Sequence, residues 1–165
     1  MVGTPAGVRR SWASWRSFGD RVLDRAELQQ GHTLLDVGAG DGLIGFGAVE
    51  RVGPRGEVIF SDVSADLVDV CRSVANDLRV AERCRFVVAG AEDLAAIRDG
   101  SVNAVTTRTV LIYLPNKPRA VAEFFRALRP GGRISLYEPI NRLMFPEPPH
   151  EFFWGYDSSV HRRGV

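Results

Sequence analysis

Apolar positions along the chain switch repeatedly between a helical and a strand period. Val8, Trp12, Trp15, Val22 and Ala26 recur at the spacing of one helix face. Residues 1–30 therefore read as an amphipathic helical lead-in, interrupted at Gly19 and ending near Gln30 and Gly31, with its tryptophans as core anchors. The apolar run Thr33 to Val37 predicts a first strand, followed by a glycine-rich turn and a helix of small and apolar residues to about Val52. Gly53-Pro54-Arg55-Gly56 closes that unit. Glu57 to Ser61 predicts the second strand, running into Asp62, and Ser64 stands where it can cap a helix carrying Leu67, Val70, Cys71, Val74 and Leu78 on one face. Arg85 to Ala89 reads as a third strand, Glu92 to Ile97 as a short helix, and Val102 to Thr107 as a fourth strand entered through the Asp99-Gly100 turn. Asn116, Lys117 and Pro118 open a helix with Val121, Phe124, Phe125 and Leu128 facing inward. Pro130-Gly131-Gly132 is expected to stop it before a fifth strand, Arg133 to Glu138.

Five strands separated by helical segments specify right-handed crossovers, and so an α/β fold with a mostly parallel sheet covered on both faces. A chain of 165 residues without internal repeats corresponds to one such unit. It divides into the lead-in 1–30, a core 31–140 and a tail 141–165 rich in proline and aromatic residues. Composition narrows the function classes. With 21 basic against 20 acidic side chains the net charge is +1, which gives no drive toward nucleic acid or an anionic membrane. Charged residues at 25% and AVILMFWYC residues at 45% are values of a folding chain rather than a disordered one. Cys71 and Cys84 show neither CxxC nor zinc-ligand spacing, so reduced thiols and no metal site are expected. No apolar run approaches the roughly 20 residues that span a bilayer, and Met1 to Arg10 lacks a signal-peptide h-region, so a cytoplasmic location is expected.

The candidate chemistry sits at the junction of the first strand and first helix, in Leu34-Leu35-Asp36-Val37-Gly38-Ala39-Gly40-Asp41-Gly42. In an open α/β sheet this junction binds ligands, and glycine there lets backbone N–H groups approach a bound molecule closely. The spacing is GxGxG, because Leu43 occupies the third glycine position of the dinucleotide fingerprint GxGxxG. Asp36 and Asp41 put carboxylates where a pyrophosphate would have to lie, which disfavours a dinucleotide and suits a cationic ligand. Asp62, 20 residues after Gly42 at the end of the second strand, is placed to accept hydrogen bonds from both hydroxyls of a ribose. Taken singly, a strand-end aspartate can be a helix cap and the glycines can serve a tight turn. Together, in this order, they point to a nucleoside.

At these residues the chain resembles the class I S-adenosylmethionine-dependent methyltransferases, of the type that acts on small molecules. LLDVGAGDG is similar to the first motif of that family and VIFSDVS, with Asp62, to the second. AGAEDLAAI, Ala89 to Ile97, is similar to the segment after the third strand, and Val105 to Pro139 to the stretch from the fourth strand through the fifth. The resemblance covers roughly residues 20 to 140. It implies a Rossmann-like doubly wound sheet with S-adenosyl-L-methionine as cofactor. Gly38, Ala39 and Gly40 would cradle the amino acid and ribose portions, and Asp36 would hold the loop or the ammonium. Asp62 would bind the ribose, with Val63 beside it, and Ala91 and Glu92 would flank the adenine. Thr107 and Arg108, at the end of the fourth strand, would lie near the methyl group.

No catalytic acid or base is singled out. An activated methyl sulfonium requires mainly positioning and desolvation of the acceptor. The Asn/Asp-Pro-Pro-Tyr signature of amino and nucleobase methyltransferases is absent, Thr106-Thr107-Arg108-Thr109 standing in its place, which favours a small-molecule acceptor over nucleic acid. Tyr113 is expected to pack beside Leu111, Ile112 and Leu114, and His32, His150 and His161 show no partner spacing.

Two departures from the family pattern stand out. Relatives usually carry an acidic residue where Gly90 stands, contacting the exocyclic amine of adenine. The family sheet also has seven strands in the order 3-2-1-4-5-7-6, whereas Pro139 to Val165 contains four prolines and no evident hairpin. The expectation is a chain lacking the last two strands, as a fragment of a longer protein would. Its fifth strand would then be an edge at which copies could associate as a homo-oligomer. Two rival readings follow: a non-catalytic cofactor-binding or interaction module derived from a methyltransferase, and an NAD-dependent oxidoreductase.

Overall fold

The computed structural model describes residues 19–139 and two short strands further on, Phe152–Phe153 and Tyr156–Asp157. Five strands form one parallel sheet: β1 (Thr33–Val37), β2 (Glu57–Asp62), β3 (Cys84–Val88), β4 (Val102–Arg108) and β5 (Leu128–Tyr137). Their order is β3-β2-β1-β4-β5. β1, β2 and β4 match the sequence expectation because a strand covered on both faces reads as a continuous apolar run. The helices are α1 (residues 19–25), α2 (Leu43–Val52), α3 (Ala65–Asp77) and α4 (Lys117–Ala127). Of the predicted lead-in, Val8, Trp12 and Trp15 lie outside the described residues. Val22 and Ala26 are buried, although α1 ends several residues before Gln30.

Side chains alternate across the sheet and build two cores. Leu34, Val58, Phe60 and Ala104 face α1, α2 and α3, where Leu23, Ile44, Ala48, Val49 and Cys71 pack on them. Leu35, Val37, Ile59 and Val105 face the other side, against Ala120, Phe124 and Ala127 of α4 and against Leu94 and Ile97. Burial on both sides is what holds a parallel sheet together, since apolar area removed from water stabilises by about 25 cal/mol per Å².

Several helix expectations are corrected. Ser64 caps α3 as predicted, its hydroxyl accepting from the Leu67 N–H at 3.3 Å. The buried face of α3, however, is Val68, Cys71 and Ala75, while Leu67, Val70 and Leu78 are exposed and Val74 is half-buried. Likewise α4 buries Ala120, Phe124 and Ala127, Val121 is half-buried, and Phe125 points to solvent. In both, small alanines complete the inward stripe, and the larger apolar neighbours flank it. The segment Glu92 to Ile97 is a series of turns, not a helix. Its carbonyls are taken by arginines from elsewhere: Arg126 donates to Leu94 O and Ile97 O, both at 2.8 Å, and Arg85 to Ala96 O at 2.5 Å. A carbonyl so engaged does not need a helical partner.

Pro130-Gly131-Gly132 does not precede β5 but lies inside it. Leu128 already pairs with Val102, and Arg133 pairs with Ala104, so the intervening residues bulge out of the ladder, with Gly131 at φ 80°. Among the described residues β5 is an edge strand of the sheet, as expected. In the tail, where no hairpin was evident, β6 (Phe152–Phe153) and β7 (Tyr156–Asp157) pair antiparallel as a ribbon separate from that sheet.

Candidate active site

The site forms where the carboxyl ends of β1, β2 and β4 meet, the place at which an open α/β sheet offers a crevice. Asp36, next to last in β1, is 2% exposed. Its Oδ2 accepts from the Gly45 N–H at 3.0 Å and its Oδ1 from the Thr106 hydroxyl at 2.9 Å. Helix α2 has no side-chain cap of its own, Gly42 being its first residue's predecessor, so Asp36 acts as its cap from the neighbouring strand. Burial raises the Asp36 carboxyl to about 7, against the opposing pull of its two hydrogen bonds and of Arg108. Of the two roles expected for Asp36, the geometry supports holding the loop.

The glycine loop follows directly. Gly38 has φ 65°, and a Cβ there would overlap Cγ2 of Val110, so glycine is required both by conformation and by close approach. The Gly40 N–H donates to Asp62 Oδ2 at 3.0 Å, and the Ser64 N–H donates to Asp62 Oδ1, also at 3.0 Å. The Gly40 carbonyl is held in turn by the Cys71 thiol at 3.3 Å. That thiol is buried, and burial together with the charges of Asp36, Asp41 and Asp62 pushes it up to about 11, which leaves it inert as a nucleophile.

A cavity of about 250 Å³ opens beside this loop. Five of the ten sequence-predicted residues line it: Gly38, Asp62, Val63, Ala91 and Arg108. Asp36, Ala39, Gly40, Glu92 and Thr107 are not among the residues that line it. Ala39 is buried and donates its N–H to Ser61 O at 3.0 Å. Glu92 points away toward α4, accepting the Asn116 N–H at 2.7 Å at that helix's start, while its carbonyl takes the Arg119 guanidinium. The Thr107 hydroxyl is buried and finds no hydrogen-bond partner among the described residues.

The opposite wall was missed by sequence reasoning. Thr109, Val110, Tyr113 and Leu114 line the cavity, and Tyr113, expected to pack, is 75% exposed there. Thr109 adopts φ 58° and donates its N–H to Tyr137 O. Glu138 then receives three successive N–H groups, from Val110 at 2.8 Å and Leu111 at 3.0 Å on Oε1 and from Ile112 at 3.3 Å on Oε2. The only local hint in the sequence is an acidic residue ending an apolar strand just before Pro139.

This arrangement offers a carboxylate with spare acceptor capacity, an apolar shelf and a guanidinium around one crevice. Comparison with known proteins agrees with it. A family model described as "Methyltransferase domain" matches residues 34–132. The chain is 34% identical over 124 residues to an arsenite methyltransferase of Halobacterium salinarum, covering 74% of this chain and 31% of that protein. It is 32% identical over 140 residues to the ubiquinone/menaquinone biosynthesis C-methyltransferase UbiE of Stutzerimonas stutzeri, covering 83% and 52%. It thus spans 31% and 52% of the length of these two curated relatives. Among solved structures it superposes on geranyl diphosphate C-methyltransferase from Streptomyces coelicolor A3(2), which holds Mg2+, geranyl-S-thiolodiphosphate and S-adenosyl-L-homocysteine. The TM-score is 0.67 at 25% identity, over 73% of this chain and 42% of that one. Strand order, glycine loop and the matched residues together place the chain in the methyltransferase domain family, among the class I S-adenosylmethionine-dependent enzymes.

Proposed function

We propose that this chain binds S-adenosyl-L-methionine in the crevice beside Gly38 and serves methyl transfer to a small-molecule O, N or C acceptor. The observation that carries the reading is Asp62. Each of its oxygens takes one backbone N–H, and a carboxylate has about four lone-pair sites, so two remain for the vicinal hydroxyls of a ribose. Val63 is 73% exposed at the same wall, beside Ala91, an apolar shelf of the kind that takes a planar base. These features fit the adenosine part of the cofactor. Gly38, Ala39 and Gly40 would hold the remainder, with Asp36 fixing the loop from behind, and Thr107 and Arg108 at the end of β4 would stand toward the acceptor. When bound, the cofactor supplies a methyl group already activated by its sulfonium; the protein's part is to orient, desolvate and exclude water.

Titration of the purified chain with S-adenosylhomocysteine by calorimetry tests this, with NADH as the comparison and Asp62→Ala as the site control. Micromolar binding of the first, none of the second and loss of the signal in the variant are expected. A folded chain that binds neither ligand would refute the reading. The edge position of β5 supports association of copies through that strand, which sedimentation at varied concentration would detect.

A further inference from the structure

We infer that Glu138 is the positioning residue of the cavity: its carboxylate, by accepting three consecutive backbone N–H groups, sets segment 109–114 against the glycine loop. The inference rests on the cofactor reading above and deepens it.

Segment 109–114 leaves β4 in a strained conformation, since Thr109 is a non-glycine residue at φ 58°. It then makes a single tight turn of helix, Leu111–Tyr113, that no side chain of its own caps. Three N–H groups at such a start would be unsatisfied at a half-buried wall, where each unmade bond is costly. Glu138 answers all three at 2.8, 3.0 and 3.3 Å, from the end of a different strand. A carboxylate is required, because every partner is a donor and an ionised carboxyl only accepts. The Tyr137 carbonyl holds the preceding Thr109 N–H at 2.9 Å, so two successive β5-side residues bind four successive amides.

The consequence reaches the ligand. Val110, the first residue so held, is the one whose Cγ2 presses on Gly38, and Tyr113 and Leu114 form the wall facing Asp62, Val63 and Ala91. Val110, Leu111 and Leu114 pack on the core beneath, but no side chain of the turn caps its start, so the backbone there is held by the carboxylate. Glu138 does not itself line the cavity; it works through the backbone of residues 110–112, of which Val110 does line it.

The test compares the wild-type chain with Glu138→Gln and Glu138→Ala by residue-resolved amide hydrogen exchange and by S-adenosylhomocysteine calorimetry. Glutamine can keep its carbonyl toward Val110 and Leu111 but turns an NH2 group toward the Ile112 N–H. Faster exchange confined to Ile112 is therefore expected in Glu138→Gln, and at all three amides in Glu138→Ala, with β1 and β2 amides unchanged. The affinity for S-adenosylhomocysteine is expected to fall roughly tenfold in the glutamine variant, the effect of one lost charge-assisted bond, and further in the alanine variant. A merely structural role would lower thermal stability without that graded pattern. Unchanged exchange at residues 110–112, or unchanged affinity while they open, overturns the inference. If the wild type itself binds no S-adenosylhomocysteine, the cofactor reading fails and the inference for a cofactor cavity falls with it, whereas the exchange pattern separately reports whether Glu138 orders the wall. Should the alanine variant not fold, the glutamine variant decides.

Discussion

Gly45 of α2 lies so close to the ring of Phe60 in β2 that a Cβ on the glycine would come within 2.7 Å of Cζ and overlap Cε1. Phe60 is fully buried and stacks with Phe86 at 5.4 Å between centroids, so the ring has nowhere to retreat. The same glycine donates its N–H to Asp36.

Gly45→Ala sets two effects against each other. Alanine improves helix propensity by about 1 kcal/mol, while overpacking a well-filled core costs about 1–3 kcal/mol. The overlap should win, leaving a net loss of up to about 2 kcal/mol in urea unfolding. Phe60→Leu in the same chain should recover part of the overlap cost, a coupling that a double-mutant cycle reads directly. Additive losses would show that the two residues do not compete for the same space.

The raised carboxyl of Asp36 makes stability depend on pH in a defined direction. Its value in the folded chain is about 7 against 3.8 for the free group, raised chiefly by burial, so between those values the folded state holds a proton that the unfolded state has released. Its contribution to stability is full below about pH 4 and is lost as pH rises through 7. Asp36→Asn keeps both partners, accepting from the Gly45 N–H and donating to a rotated Thr106 hydroxyl, but cannot titrate. The difference in unfolding free energy between wild type and Asp36→Asn should therefore move in favour of the variant from pH 4 to pH 8, by up to about 4 kcal/mol. A flat difference would mean that Asp36 is already ionised at low pH.

Gly90 stands where the family resemblance implies an acidic side chain, and it has room for one. Its backbone is in an ordinary conformation, and the nearest atom to an added Cβ is Val63 Cγ1 at 3.4 Å. Gly90→Asp should leave the melting temperature nearly unchanged and tighten S-adenosylhomocysteine binding by about fivefold to tenfold, the worth of one hydrogen bond to the adenine amine. Weaker binding would place the adenine elsewhere in the cavity.

Strands and the glycine loop were legible in the sequence because their signals are local: continuous apolar runs for β1, β2 and β4, and alternate glycines flanked by Asp36 and Asp62. Helix faces were less so. On α3 the bulky Leu67 and Val70 look like the inward stripe, yet Val68 and Ala75 are buried, because a small residue lets the helix sit closer to the sheet. The turns over 92–97 depend on Arg85 and Arg126, and the wall over 109–114 depends on Glu138; in each case the partner comes from a separate part of the chain. Such features are invisible to periodicity, and the second of them supplies four of the eleven residues that line the cavity.

The pairing of β1 with β4 joins Leu34 to Ala104, and the hydrogen bond from Thr106 to Asp36 spans 70 positions. The glycine loop is contiguous in sequence, but the environment that shapes it is assembled late, once a long stretch of chain has been closed into a crossover. A nascent chain ending near residue 100 would carry every residue of the loop and still lack both the strand that buries Asp36 and Val110, which packs on Gly38. Competence for ligand is thus gained only after the loop itself has been made, when β4 lies beside β1 and β5, followed by Glu138, lies beside β4.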